Sequence, residues 1–175
     1  MAAVNSNPEY GETRLHVVMG VAGCGKSTIG AALAEAVGGT YLDGDRFHPK
    51  DNIEKMSRGE ALTDDDRWPW LEIFGQAIQH QHGLVIGGCS ALKRSYRQRI
   101  VDAAGEPVLF IYLDGSKQLI AERMGKRTGH FMPTTLLDSQ FATLEVPTPD
   151  EHALAVDINA TTEHIVEAIV ARIRP

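Results

Sequence analysis

Gly20-Val21-Ala22-Gly23-Cys24-Gly25-Lys26-Ser27 fits the spacing G-x-x-x-x-G-K-[ST], which sets a glycine-rich turn, a lysine and a hydroxyl to receive phosphate. Successive N–H groups of such a loop, and of the helical turn after it, point at phosphate oxygens. Lys26 reaches toward the β/γ region, and the Ser27 hydroxyl can ligate Mg²⁺. An ordinary glycine-rich turn with a surface lysine is the alternative, and the flanks argue against it. Leu15, Val17, Val18 and Met19 supply an apolar strand before the loop, while Ile29, Leu33 and Val37 recur at helical spacing after it.

Asp43-Gly44-Asp45 closes a second strand-like run. In an extended segment side chains alternate, so both carboxylates would project to one side, toward the phosphate loop. Two acids facing a polyphosphate need a cation between them. One can hold hydrated Mg²⁺ while the other orients the attacking hydroxyl and accepts its proton. Asp43, with Ser27, is assigned to the metal and Asp45 to the base, and the spacing leaves an exchange of the two roles open. Alone, D-G-D is an acidic turn; the phosphate loop upstream reverses that preference. Asp114, after Val108 to Leu113, looks at first like a metal aspartate. Gly115-Ser116 and then Leu119, Ile120 and Met124 make it the start of a helix instead, where an acid and a serine cap free N–H groups.

Cations fall in three groups: Arg46, His48, Lys50, Lys55 and Arg58; Lys93, Arg94, Arg97 and Arg99; Arg123, Lys126 and Arg127. Each alone suggests a solvated helix face. Arg94 and Arg97, however, share one face of the helix that begins after Gly87 to Ser90, where a planar guanidinium could take a carboxylate at two points. Arg97 is the preferred contact and Arg94 its competitor. Arg123 and Arg127 run into Thr128-Gly129-His130-Phe131, a glycine-containing segment able to move, so a lid is expected around 123–132.

These groups must be placed by the rest of the chain. Its 175 residues, 43% hydrophobic, suffice for one domain over 14–175 after a flexible arm over 1–13. The net charge of −6 argues against a nucleic-acid or anionic-membrane surface, so an anionic ligand must be held by local cations. No run has the length of a membrane span, and the polar Met1 to Thr13 carries no leader pattern, which predicts a cytoplasmic protein. Cys24 and Cys89 are expected to be free thiols. The seven histidines have no zinc-like spacing, and His80-Gln81-His82 reads as a helix end. Strand-like runs at 15–20, 40–43, 84–88, 108–113 and 153–158 alternate with helical periodicity, ending in the amphipathic Ile165, Val166, Ile169, Val170 and Ile173. The fold class is therefore α/β, a three-layer fold with a five-stranded parallel sheet flanked by helices. Gly20, Asp43 to Asp45 and Gly87 to Ser90 should meet in one cleft at the carboxyl ends of the strands.

Together these residues resemble the gluconokinase family, whose P-loop kinase fold is that of adenylate and shikimate kinases. The resemblance runs through Gly20 to Thr28, Leu42 to Asp45 with His48-Pro49, Asn52 to Met56, and Leu62 to Leu71. It continues through Cys89 to Arg97, Gly129 to Met132, and Ser139-Gln140-Phe141 with Leu144-Glu145. Ala22 and Cys24 stand where many members carry serine. The resemblance implies ATP-dependent, Mg²⁺-assisted phosphorylation of D-gluconate to 6-phosphogluconate. ATP would be held by Gly20, Val21, Ala22, Gly23, Cys24, Gly25, Lys26, Ser27 and Thr28. Arg123 would stack on adenine and Arg127 reach the transferring phosphate, joining Lys26 and Asp45 in catalysis. The segment His48 to Arg58 with Lys93 to Arg97 would form the acceptor pocket, with His48, Lys55, Arg58, Arg94 and Arg97 beside Asp45. Homodimers are common among its members. A kinase for another small hydroxy acid such as shikimate is the alternative within enzymes. A non-catalytic nucleotide-binding switch is the alternative outside them, and it would need neither the acceptor base nor the lid arginines.

Overall fold

The computed structural model describes residues 8–128 and 134–174, with side chains over 10–126 and 136–174. All five expected strands are present: β1 (Leu15–Met19), β2 (Thr40–Asp43), β3 (Val85–Gly88), β4 (Val108–Asp114) and β5 (Ala153–Asp157). They form one parallel sheet in the order β2-β3-β1-β4-β5. A parallel sheet needs both faces covered. On one side α2 (Lys26–Val37) and α8 (Thr162–Ile173) bury Ile29, Leu33, Ile165 and Ile169 against Val18, Ile86, Leu109 and Ile111. On the other, α4 (Asp64–His80) and α5 (Arg94–Ala104) bury Leu71, Phe74, Tyr96 and Ile100 against Leu15, Val17, Met19 and Phe110. No helix among the described residues is long and apolar enough to cross a membrane.

The chain order reverses at β1, whose neighbours are β3 and β4, and the carboxyl ends of β1 and β3 are tied to each other. The Cys89 N–H donates to the Val18 carbonyl at 3.1 Å and the Gly20 N–H to the Ser90 carbonyl at 3.2 Å. Gly44 lies against this junction. A Cβ there would come within 2.5 Å of the Gly88 carbonyl oxygen, so only glycine lets the end of β2 approach so closely.

Two expectations are corrected. The flexible arm does not extend to residue 13. From Pro8 the chain forms α1 (Pro8–Glu12), with Tyr10 donating to the Ala153 carbonyl at 3.2 Å and Thr13 hydrogen-bonded to the His152 ring at 2.8 Å. Residues 1–7 lie outside the described residues. Asp114 ends β4 rather than capping a helix; the cap of α6 (Lys117–Thr128) is Ser116, whose hydroxyl accepts the Leu119 N–H. The remaining elements are α3 (Lys50–Ser57), α7 (Thr134–Thr143) and a 3₁₀ turn over Gly44–Phe47.

His16 lies buried on β1, and its Nδ1 has no hydrogen-bond partner. Burial, outweighing the opposing pull of the Val85 and Arg14 backbone, pushes its pKa from 6.5 down to about 4. Between those values the unfolded chain binds the proton that the folded chain refuses, so stability rises with pH across the window and is lost on acidification. Denaturant unfolding at a series of pH values should show a loss approaching about 3 kcal/mol between pH 7 and pH 4 from this group. His16→Leu should remove that part of the slope.

Candidate active site

The phosphate loop joins β1 to α2 through left-handed glycines, Gly23 at φ 81° and Gly25 at φ 100°. At Gly23 a side chain would also strike Met124 of α6, 2.4 Å from the site of a Cβ. The Lys26 ammonium is held over the loop by the carbonyls of Gly20 and Val21 at 2.9 and 3.0 Å. Two cavities open on either side. One of about 380 Å³ gathers Ala22, Lys26, Ser27, Asp45, Ser90 and Gln140. The other, of about 390 Å³, is lined by Gly25, Thr28, Arg123, Lys126 and Thr161. The first places a carboxylate beside the phosphate-binding groups. In the second, the Arg123 guanidinium lies 3.4 Å from the Ala160 carbonyl.

Asp45 reaches the first cavity by a different route from the one the sequence suggests. It is not extended; it lies in the 3₁₀ turn, so strand alternation does not align it with Asp43. Asp43 caps that turn, its Oδ1 accepting the Asp45 N–H at 3.0 Å. The turn is pinned from below by Trp70, whose indole N–H donates to the Gly44 carbonyl at 2.8 Å, and His48 stacks on the same indole at 4.0 Å. Asn52 fixes the state of His48. Its amide nitrogen donates to the Asp66 carbonyl, so at 3.3 Å from the His48 Nδ1 it can only donate again, leaving a neutral ring protonated on Nε2. Burial also lowers the His48 pKa, with Asp45 opposing and Arg67 assisting, which sets all three groups within electrostatic reach.

Four expected acceptor cations are engaged elsewhere. Arg97 is 2% exposed and makes no surface contact. Its Nε and Nη2 take both oxygens of Glu151 at 2.7 and 3.2 Å, and its remaining donors meet the carbonyls of Ala91, Leu92 and Glu145. Helical spacing correctly puts Arg94 and Arg97 near one another, but that face turns toward residues 145–151 and not into the cleft. Arg94 pairs with Asp150 at 2.6 Å. Lys55 grips Asp66 at 2.7 Å, where Asp66 also closes the Thr63 capping box of α4; Lys55 and the Thr63 N–H together hold the Asp66 carboxyl down at about 2. Arg58 is an exposed C-cap of α3, beside Glu60. Arg127 falls in the last turn of α6 with its side chain outside the described residues, as does the Gly129 to Met132 part of the expected lid.

Sequence reasoning put Lys93 and Tyr96 in the stretch expected to form the acceptor pocket but gave no role to Asp64 and Arg67, which join them in one cluster. The Asp64 carboxylate accepts from the Tyr96 hydroxyl and from Lys93 at 3.2 Å, with Arg67 at 3.7 Å. The Tyr96 hydrogen bond and then Lys93 hold its pKa low. Arg67 and Lys93 both lie 5.5 Å from the Tyr96 ring centre. Arg67 is a half-buried arginine whose carboxylate contact is long; its Nη1 donates to the Leu62 carbonyl at 2.8 Å. The run Asp64-Asp65-Asp66-Arg67 signals only a helix start, and a cation three residues from an acid reads as an internal pair.

Among the described residues no group of three or more histidine, cysteine or carboxylate side chains could cage a metal. Mg²⁺ needs no such cage, since one or two carboxylates and substrate phosphates commonly suffice. Ser27 and the Asp43–Asp45 pair fit that donor set. Cys24 and Cys89 are buried free thiols, and burial pushes Cys89 up to about 12.

A family model described as shikimate kinase matches residues 22–174. The gluconokinase of Gluconobacter oxydans (strain 621H) is 44% identical over 163 residues, covering 90% of this chain and 89% of that protein. The thermoresistant gluconokinase of Escherichia coli (strain K12) is 42% identical over 165 residues, covering 91% and 93%. The crystal structure of a gluconokinase from Sinorhizobium meliloti 1021 superimposes with a TM-score of 0.83 at 47% identity, covering 91% of this chain and 90% of that one.

Removing half of a buried pair leaves the other charge uncompensated, so Arg97→Ala should cost about 3–5 kcal/mol. Arg97→Lys should lower the thermal midpoint by several degrees without acting on one substrate alone. An acceptor-selective rise in KM at an unchanged melting temperature would return Arg97 to the pocket. For the acid pair, Asp45→Asn should reduce kcat on the order of a hundredfold or more with little change in nucleotide affinity. Asp43→Asn should chiefly raise the Mg²⁺ concentration needed for half-maximal rate. The reverse pattern in steady-state kinetics exchanges the two roles.

Proposed function

Because the chain belongs to the gluconokinase family, we propose that it transfers the γ-phosphoryl group of ATP to the terminal hydroxyl of D-gluconate, giving 6-phosphogluconate and ADP. The observation that carries this reading is the cavity in which Asp45 shares walls with Lys26, Ser27 and Ser90. A nucleotide switch needs the loop and the lysine. A carboxylate beside them, aligned by its own capped turn, suits a hydroxyl that must lose a proton as it attacks phosphorus.

The loop N–H groups and Lys26 would bind the ATP phosphates, and the groove beside Arg123 and Thr28 the nucleoside. Asp45 would orient the acceptor hydroxyl and take its proton. Mg²⁺, held through Ser27 and Asp43, would neutralise phosphate charge when bound. Arg67, with Lys93 near it, is our candidate to meet the acceptor carboxylate, because its guanidinium is held by the Leu62 carbonyl and only a long contact to Asp64, so no carboxylate yet takes it at two points. The neutral His48, with its Nε2–H, offers a donor to an acceptor hydroxyl.

The match to a shikimate kinase family model keeps shikimate as the competing acceptor. Turnover of ATP with D-gluconate, shikimate or water alone separates the readings: gluconate should be used at least a hundredfold more efficiently than shikimate, with hydrolysis negligible. Arg67→Lys keeps the charge but loses the planar fork, and should raise KM for gluconate about tenfold while KM for ATP stays within twofold. Equal shifts for both substrates would remove Arg67 from the acceptor pocket.

A further inference from the structure

Gln140 stands on α7, 118 residues from Ala22 in sequence, and its Oε1 accepts the Ala22 backbone N–H at 3.0 Å. That bond settles the orientation of the amide. A backbone N–H can only donate, so the oxygen faces the loop and Nε2 carries its two donors away from it. The side chain lines the same cavity as Lys26, Ser27, Asp45 and Ser90, and among the described residues Nε2 has no acceptor.

Its support is firm. Leu137, one turn earlier, is buried in the core, and Asp138 pairs with Lys117 of α6. Beyond it the Leu144 N–H donates to the Gln140 carbonyl at 2.9 Å and the Glu145 N–H to the Leu92 carbonyl at 2.8 Å. A pair of N–H donors on such a mount, beside a phosphate loop, suits charge that develops on phosphoryl oxygens. A simple latch for the loop would need only the acceptor atom.

We propose that Gln140 is a catalytic residue of the phosphoryl transfer, its Nε2 N–H groups donating to oxygens of the transferring γ-phosphoryl group while its Oε1 holds the Ala22 amide. This rests on the kinase reading and not on the identity of the acceptor. In the step itself the bond from the β–γ bridging oxygen to the γ-phosphorus breaks, leaving that electron pair on ADP. A bond from the acceptor hydroxyl oxygen to phosphorus forms, and the hydroxyl proton passes to Asp45. Gln140 exchanges neither proton nor electrons in it; it stabilises charge on the nonbridging oxygens, whose bonds to phosphorus neither form nor break.

Gln140→Glu, read beside the neutral Gln140→Met because a carboxylate also repels phosphate, separates this role from a latch. The carboxylate keeps the shape and can still accept from Ala22, but it has no N–H to offer. Calorimetric titration with β,γ-imido ATP and with ADP gives a readout independent of any acceptor. Affinity for the triphosphate analogue should fall about tenfold while that for ADP changes less than threefold, and kcat with gluconate should fall at least a hundredfold. Parent-like turnover and analogue affinity in Gln140→Glu, with both lost in Gln140→Ala, would overturn the proposal in favour of a latch. If thermal unfolding shows that Gln140→Glu is not folded, Gln140→Met decides alone in the same titrations: selective loss of analogue affinity supports the proposal, and equal loss of analogue and ADP overturns it. A parent protein that ignores gluconate but binds the analogue would refute the acceptor assignment while leaving this test intact.

Discussion

Arg97 carries a positive charge into the interior, where an unpaired ion costs several kcal/mol, and the chain answers with an oxygen for every donor it has. Those oxygens come from distant stretches: Ala91 and Leu92 after β3, Glu145 after α7, and Glu151 before β5. The guanidinium therefore fixes where the 89–93 turn can run. Ala91 is held there at φ 45°, an uncommon conformation for a residue with a side chain. One residue earlier, the Ser90 carbonyl receives the first amide of the phosphate loop. The start of the glycine-rich loop is thus joined, through the 89–93 turn, to a salt bridge on the far side of that turn.

The same residue shows where sequence stops being informative. Strand ends, the phosphate loop and the closing helix are written in local periods, and β2 and the loop fall where the spacing puts them. Spacing three apart says that Arg94 and Arg97 share a face; it does not say what that face meets. Residues 145–151, which decide the matter, are fifty positions away and carry no pattern of their own. Strand alternation does not describe Asp45, since the acid lies in a 3₁₀ turn with Asp43 as its cap and Trp70 as its prop. Arg67 was hidden in an acidic helix start, and Gln140 in a polar stretch whose meaning comes only from its neighbour across the fold.

The placement of charge follows one logic throughout. The chain is acidic overall, yet its site must hold anions. Lys55, Arg94 and Arg97 bind carboxylates at 2.7 Å or less and so serve as joints between elements. Lys26 is held by carbonyl oxygens, which a phosphate can outbid, and Arg67 by the Leu62 carbonyl and a long contact to Asp64. The strength of each cation's existing partnership thus sorts the structural from the available more sharply than charge or position along a helix.

Lys117 and Asp138 join α6 to α7, so the arginine beside the nucleoside groove and the glutamine beside the phosphate cavity ride on one clamped pair of helices. Whatever orders one end of that pair lowers the entropy left to lose at the other. Under the proposed kinase reading, recognition of the base and recognition of the terminal phosphate would then be linked equilibria rather than separate contacts, and linkage is reciprocal. A nucleotide lacking either part would forfeit more than that part's own contacts, so the helix pair would help distinguish a whole donor from its fragments.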